Sequence, residues 1–284
     1  MIKIFNYLIQ SLIIYLFFIF GYLLGLRISR KLFSIIFYFV GPKFKSEKII
    51  KNNLKICFKN ISVEDEKRIK ENMWKNYGMT FIEYIFLNQL KRENSHIYYK
   101  GEKNLQGIGS KKPVIFISGH FANFELMSME ICKKNIKLAT IYRPLNNIFL
   151  NPFMEFLRKK YICPNQIKKG INGVRDAIEF IKNDYCIALM IDQRVSEGEK
   201  INLFNQPALT TTLPAQLSIK FGLDIIPVYI ERVKNSKFKI EFQKPINPND
   251  FSDKFVLTEK LNTILEEMIK RNPDQWIWTH NRWK

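Results

Sequence analysis

Only three histidines occur in this 284-residue chain, and one of them, His120, has a carboxylate, Glu125, five residues on. A carboxylate on one ring nitrogen fixes the imidazole tautomer and frees the other nitrogen to take a proton from a hydroxyl, which is the work of a general base. Residues five apart on one ideal helix diverge by about 140°. The two side chains therefore meet only if His120 precedes the helix, on a turn made flexible by Gly119, while Glu125 sits in the first helical turns. His120 becomes the expected base and Glu125 its orienter. In the competing reading His120 merely caps the helix and Glu125 complements its dipole. The run Val114, Ile115, Phe116, Ile117 ahead of the pair reads as a buried strand, and open α/β sheets place ligands at the carboxyl ends of such strands, which favours catalysis. A zinc site is the weaker rival: H-x-x-x-x-E lacks the i, i+4 geometry of H-E-x-x-H, and His96 and His280 complete no ligand set.

The elements that must hold this pair follow from periodicity. Ser62 and Asp65 resemble a capping box, and Ile69, Met73, Trp74, Tyr77, Phe81, Ile82 and Ile85 continue at helical spacing, predicting one long amphipathic helix. From Pro113 onward short apolar runs alternate with helical stretches, the signature of an α/β domain. Strands are expected at 114–117, 138–142, 186–191, 225–230 and 238–242, and helices near 121–133, 148–161, 171–182, 212–221 and 258–270. Cys57, Cys132, Cys163 and Cys186 are scattered without a C-x-x-C pair, so neither a disulfide framework nor a zinc finger is expected. Cys163, beside Arg158, Lys159 and Lys160, reads as an inert thiol.

Residues 4–26 carry no charge and are followed by Arg27, Arg30 and Lys31. A span needs about 20 apolar residues, and the trailing cations belong on the cytoplasmic side. Asn6, Gln10 and Ser11 weaken the first turns, so a tilted or interfacial helix is the alternative to a full span. The expected organisation is an anchor over residues 1–30 and one catalytic domain over 31–284. Lysines 43, 45, 48, 51 and 55 punctuate apolar residues as in an interfacial segment, or as on an ordinary solvated helix face. The formal charge of +19, from 45 Lys and Arg against 26 Asp and Glu, favours anionic partners. A basic protein that only binds lipid or nucleic acid would share that charge, but it leaves the placement of GHFANFE unexplained, and no P-loop, G-x-G-x-x-G or nucleic-acid motif is visible.

NNLKICF at residues 52–58, GHFANFE at 119–125, YRPLNN at 142–147, DQR at 192–194 and the ending WIWTHNRWK occur in one order along the whole chain. In this the chain resembles the H-x-x-x-x-D/E glycerolipid acyltransferases and, within them, the bacterial lipid A late acyltransferases. The resemblance implies a mixed central sheet flanked by helices and a bacterial inner-membrane enzyme facing the cytoplasm. It implies transfer of a fatty acyl group from acyl carrier protein to a hydroxyl of a phosphorylated glucosamine-disaccharide lipid, with no metal or organic cofactor. Acylation of another lipid such as lysophosphatidate, or use of acyl-coenzyme A, is the nearest alternative. Carried over by motif, His120 is the base and Glu125 its partner, with Arg158 and Asp192 catalytic or substrate-binding. Arg143, Asn123, Arg194 and Arg282 are substrate-binding candidates, while Trp276 and Trp278 are expected to pack on the domain. An acidic carrier protein, lipid phosphates and an anionic leaflet would each match the basic charge.

Overall fold

The computed structural model describes residues 2–108 and 112–284. The chain opens with α1 (Ile2–Phe44), the one helix among the described residues long and apolar enough to cross a membrane. It is broken at Gly25, whose φ of 73° and ψ of 161° lie outside the helical region and suit only a residue without Cβ. Ser29 Oγ caps the break by donating to the Gly21 carbonyl at 2.6 Å. The expected anchor therefore continues past residue 30 as a second arm that packs on the domain. There α2 (Glu47–Cys57) and α3 (Val63–Glu83) follow, and the predicted Ser62 cap is present, its Oγ accepting from the Asp65 N–H at 3.0 Å. Gly78 is what lets α1 reach α3, because a Cβ there would collide with the Phe33 carbonyl. In α2 the lysines at 48, 51 and 55 are exposed while Ile50, Leu54 and Cys57 are buried, so this amphipathic segment packs its apolar face on the core.

After α4 (Leu87–Arg92) come β1 (Ile97–Lys100), β2 (Ile115–Ser118), α5 (Glu125–Lys133), β3 (Leu138–Tyr142) and α6 (Asn151–Leu157), which continues as one π-helical turn, Arg158–Ile162. Then follow β4 (Asn165–Lys168), α7 (Ile171–Lys182), β5 (Cys186–Met190), the hairpin β6 (Glu199–Leu203) and β7 (Gln206–Thr210), and α8 (Leu213–Phe221). The chain closes with β8 (Ile225–Arg232), β9 (Phe238–Phe242), α9 (Lys254–Arg271) and an irregular tail. Seven strands form one mixed sheet in the order β1, β9, β8, β2, β5, β3, β4, in which only the β8–β9 pairing is antiparallel. Helices cover both faces. In β2, Ile115 and Ile117 join the core shared with α7, α8 and α9, while Phe116 points into the core shared with α3 and α5. A strand buried on both sides reads as an unbroken apolar run, which is why β2 is evident in the sequence.

Candidate active site

His120 lies two residues beyond β2 and Asp192 two beyond β5, and these strands are neighbours paired in parallel, so both side chains come off the same sheet edge. The turn between β2 and α5 holds Ala122 at φ 46°, a left-handed conformation unusual for a residue with a Cβ. It is held from both sides: the Ala122 N–H donates to the Gln275 carbonyl at 3.0 Å, and Thr80 Oγ1 donates to the Ala122 carbonyl at 3.0 Å. The surroundings thus hold the backbone of the turn that follows His120 in this conformation.

His120 Nδ1 lies 2.7 Å from Asp192 Oδ1, and the His120 N–H donates to Asp192 Oδ2 at 2.8 Å. Trp276 Nε1 donates to the same Oδ2 at 2.8 Å. Burial alone would raise the Asp192 pKa, but the His120 ring and three hydrogen bonds hold it down at about 2. A carboxylate only accepts, so Nδ1 donates to Asp192 and Nε2 is left as the accepting nitrogen. Nε2 faces the Gln193 side-chain amide at 3.4 Å, and the Phe124 ring packs edge-on against the imidazole with centroids 4.5 Å apart.

Glu125 has other partners. Tyr84 donates its hydroxyl to Glu125 Oε1 at 2.5 Å, and Arg158 donates from Nε at 2.8 Å, with Nη2 at 2.7 Å from the same oxygen. The expectation that Glu125 orients the imidazole is thus corrected: the carboxylate on His120 is that of Asp192. The reason is local. α5 begins only at Glu125, and the left-handed residue at 122 turns the chain so that Glu125 faces the π-helical turn after α6. Arg158 is largely buried, yet Glu125 and Tyr84 keep its pKa raised against the effect of burial. Its Nη1 is buried without a hydrogen-bond partner.

The remaining candidates separate by burial. Arg143 is exposed on the loop after β3, and Arg194 is half-buried, its N–H donating to His280 Nε2 at 2.8 Å. Asn123 is only 2% exposed and donates to Glu83 Oε2 at 2.9 Å, so it belongs to the framework below the turn. Arg282, expected to bind substrate, is fully buried with its pKa lowered by burial to about 10, and it donates to the Leu209 carbonyl and Thr210 Oγ1 of β7. Both depart from the substrate-binding expectation because they are buried in the fold, Asn123 bonded through Nδ2 and Arg282 through its two Nη groups to framework partners. Trp276 and Trp278 are buried as expected, and Cys163 is sealed in the core. Sequence reasoning missed Tyr84, Gln193 and the role of Trp276, although the last two stand inside motifs it had singled out. It also missed Asn53, whose amide donates to the Trp278 and His280 carbonyls at 2.8 Å each and so ties the NNLKICF segment to the tail.

Residues 2–284 match the family model described as bacterial lipid A biosynthesis acyltransferase. The chain belongs to that family. Among its relatives the lipid A biosynthesis palmitoleoyltransferase of Escherichia coli (strain K12) is 26% identical over 252 residues, 84% of this chain and 79% of that protein. The lipid A biosynthesis lauroyltransferase of the same organism is 20% identical over 248 residues, 84% of this chain and 78% of that one. The solved 1-acyl-sn-glycerophosphate (LPA) acyltransferase of Thermotoga maritima is 15% identical, with a TM-score of 0.44, and the match covers 89% of this chain and 100% of that one. In this lipid A acyltransferase the motif histidine stands with its Nδ1 secured by the aspartate of the DQR segment, and the motif glutamate stands with Arg158 and Tyr84.

Proposed function

We propose that this acyltransferase, anchored by α1 at the cytoplasmic face of a bacterial inner membrane, moves a fatty acyl group from an acyl carrier protein thioester to a hydroxyl of a phosphorylated glucosamine-disaccharide lipid. The observation that carries this reading is the His120 ring, with Nδ1 bonded to Asp192 at 2.7 Å and Nε2 left as the acceptor. His120 takes the proton of the acceptor hydroxyl as its oxygen bonds to the thioester carbonyl carbon. Negative charge then gathers on the carbonyl oxygen, where the free Nη1 of Arg158 is a candidate donor. When the C–S bond breaks, the imidazolium returns the proton to the leaving thiolate. Glu125 and Tyr84 fix the Arg158 guanidinium by hydrogen bonds, which makes them positioning residues for that charge. Arg143 and Arg194 supply cationic side chains on the same sheet edge for the acceptor phosphates.

The test is transfer by the purified protein from acyl carrier protein thioester to a lipid A precursor, run beside lysophosphatidate as acceptor and acyl-coenzyme A as donor. Release of carrier protein and a lipid heavier by one acyl chain are expected with the first pair, and His120→Ala is expected to remove the transfer. Unchanged transfer by a folded His120→Ala protein would sink the proposed base, and preference for lysophosphatidate or acyl-coenzyme A would sink the assigned substrates.

A further inference from the structure

The first arm of α1 does not stand free of the domain. Ser11 Oγ donates to Asn147 Oδ1 at 2.9 Å, Asn147 Nδ2 donates to the Tyr7 carbonyl at 2.9 Å, and Tyr15 donates its hydroxyl to the Phe149 carbonyl at 2.8 Å. The Tyr15 and Phe18 rings pack on Phe153, with centroids 5.6 and 6.0 Å apart. Residues 7, 11, 15 and 18 form one stripe of the helix, and that stripe is riveted to the loop between β3 and α6. The rest of the arm's surface is exposed and mostly apolar, including Phe5, Leu12, Leu16, Ile19 and Leu23, with Asn6 and Gln10 as polar exceptions.

This attachment conflicts with a perpendicular crossing. Ser11 lies 14 residues before the break at Gly25, about 21 Å along a helix axis. In a hydrocarbon layer about 30 Å thick, a crossing helix would carry Ser11 deep into the layer. The loop bonded to it would follow, with irregular backbone and the exposed Arg143 and Asn146. Lipid-exposed irregular backbone is not tolerated at that depth. The same loop is nonetheless apolar at its tip: Ile148 is 56% exposed, and Phe156 on α6 is 51% exposed. Around that tip the exposed cations are Arg143, Lys159, Lys160, Lys168 and Lys169, while Glu155 is engaged by Tyr142 and Lys168. An apolar ridge rimmed by cations fits an anionic leaflet, with the ridge among acyl chains and the cations at headgroup level.

We infer that the first arm of α1 lies in the plane of one leaflet of an anionic bilayer, and that the β3–α6 loop inserts Ile148 beside it as a second point of contact. The inference rests on the membrane anchoring proposed above and replaces a crossing helix with a one-sided one. Its consequence is placement. α6 leads directly to Arg158, and β3 ends on the same sheet edge as β2 and β5, so the loop sets the height of the candidate active site at the lipid headgroups.

The full chain, carrying an epitope and a protease site ahead of Met1, is inserted into sealed vesicles of phosphatidylethanolamine and phosphatidylglycerol, followed by flotation. Protease is then added on the side where the catalytic domain is exposed. An in-plane helix leaves the tag on that side and it is cut, whereas a crossing helix protects it, which would overturn the inference. In a second measurement Ile148→Trp, at an exposed position, is compared with the parent protein in vesicles of brominated lipid. Its added emission is expected to be quenched at least twofold, and unquenched emission would remove the loop from the membrane. A parent protein that fails to float with the vesicles would overturn the anchoring itself, and the inference with it.

Discussion

Asp192 is a carboxylate shut off from water whose partners all donate to it: the His120 ring and N–H, and the Trp276 indole. Replacing it by Asn keeps the shape but allows the amide to present an N–H to Nδ1, favouring the wrong tautomer. Asp192→Asn is therefore expected to lower kcat by about 10²–10⁴-fold, measured by carrier-protein release, in a protein that still melts cooperatively. Glu125→Gln acts elsewhere. It weakens the hold on Arg158, so its loss of rate is expected without the change in the pH profile that Asp192→Asn produces. Acid stability follows from the same carboxylate. Its folded pKa of about 2 lies below its unfolded value, so its contribution is fully present above the unfolded pKa and disappears as pH falls through about 2. The amount is roughly 2 kcal/mol. Melting temperature measured from pH 6 downward should fall more steeply for the parent than for Asp192→Asn.

At the scale of elements, Glu83 at the end of α3 is the joint. Fully buried, it accepts from Arg30 Nε of α1 at 2.6 Å, from Arg232 of β8 at 2.5 and 3.0 Å, and from Asn123 of the turn between β2 and α5 at 2.9 Å. Burial would raise its pKa, but the two guanidinium groups hold it at about 2. Glu83→Ala leaves two buried cations without their counter-ion, at a cost of about 3–5 kcal/mol. A fall of roughly 10 °C in thermal inactivation is expected, and an unchanged midpoint would show that the joint is not needed. Some elements were legible from sequence and some were not. β2, β3, β5, β8 and β9 carry β-type apolar patterns, whereas β1 (IYYK) and β4 (NQIK), as short as β2 but each with a single buried residue, lack its apolar run. The β6–β7 hairpin escaped notice because its turn places Phe204 and Asn205 both at positive φ, 54° and 56°, and a phenylalanine does not announce such a turn.

For the whole molecule, 45 cationic side chains set a field that no single contact explains. If the donor is an acidic carrier protein, its KM should rise several-fold between low and moderate salt as the field is screened, while a short uncharged thioester should show no such change. Steady-state rates at 50 and 300 mM salt with both donors would decide this, and equal salt dependence would remove carrier-protein steering.

Sequence by itself determined what local pattern can determine: the apolar N-terminal helix, the capped helix from Val63, the buried strand ahead of His120, and the family through motifs spread over the chain. Only the tertiary structure decided which carboxylate His120 meets. Asp192 is 72 residues away, and the two come together because β2 and β5 are neighbours in the sheet although two other strands intervene in sequence. The same holds for Glu125 with Arg158, for Asn53 with the tail, and for the stripe of α1 bonded to the β3–α6 loop. Side-chain pairing across a sheet depends on strand order and on the direction in which each turn leaves its strand, and spacing along the chain carries neither.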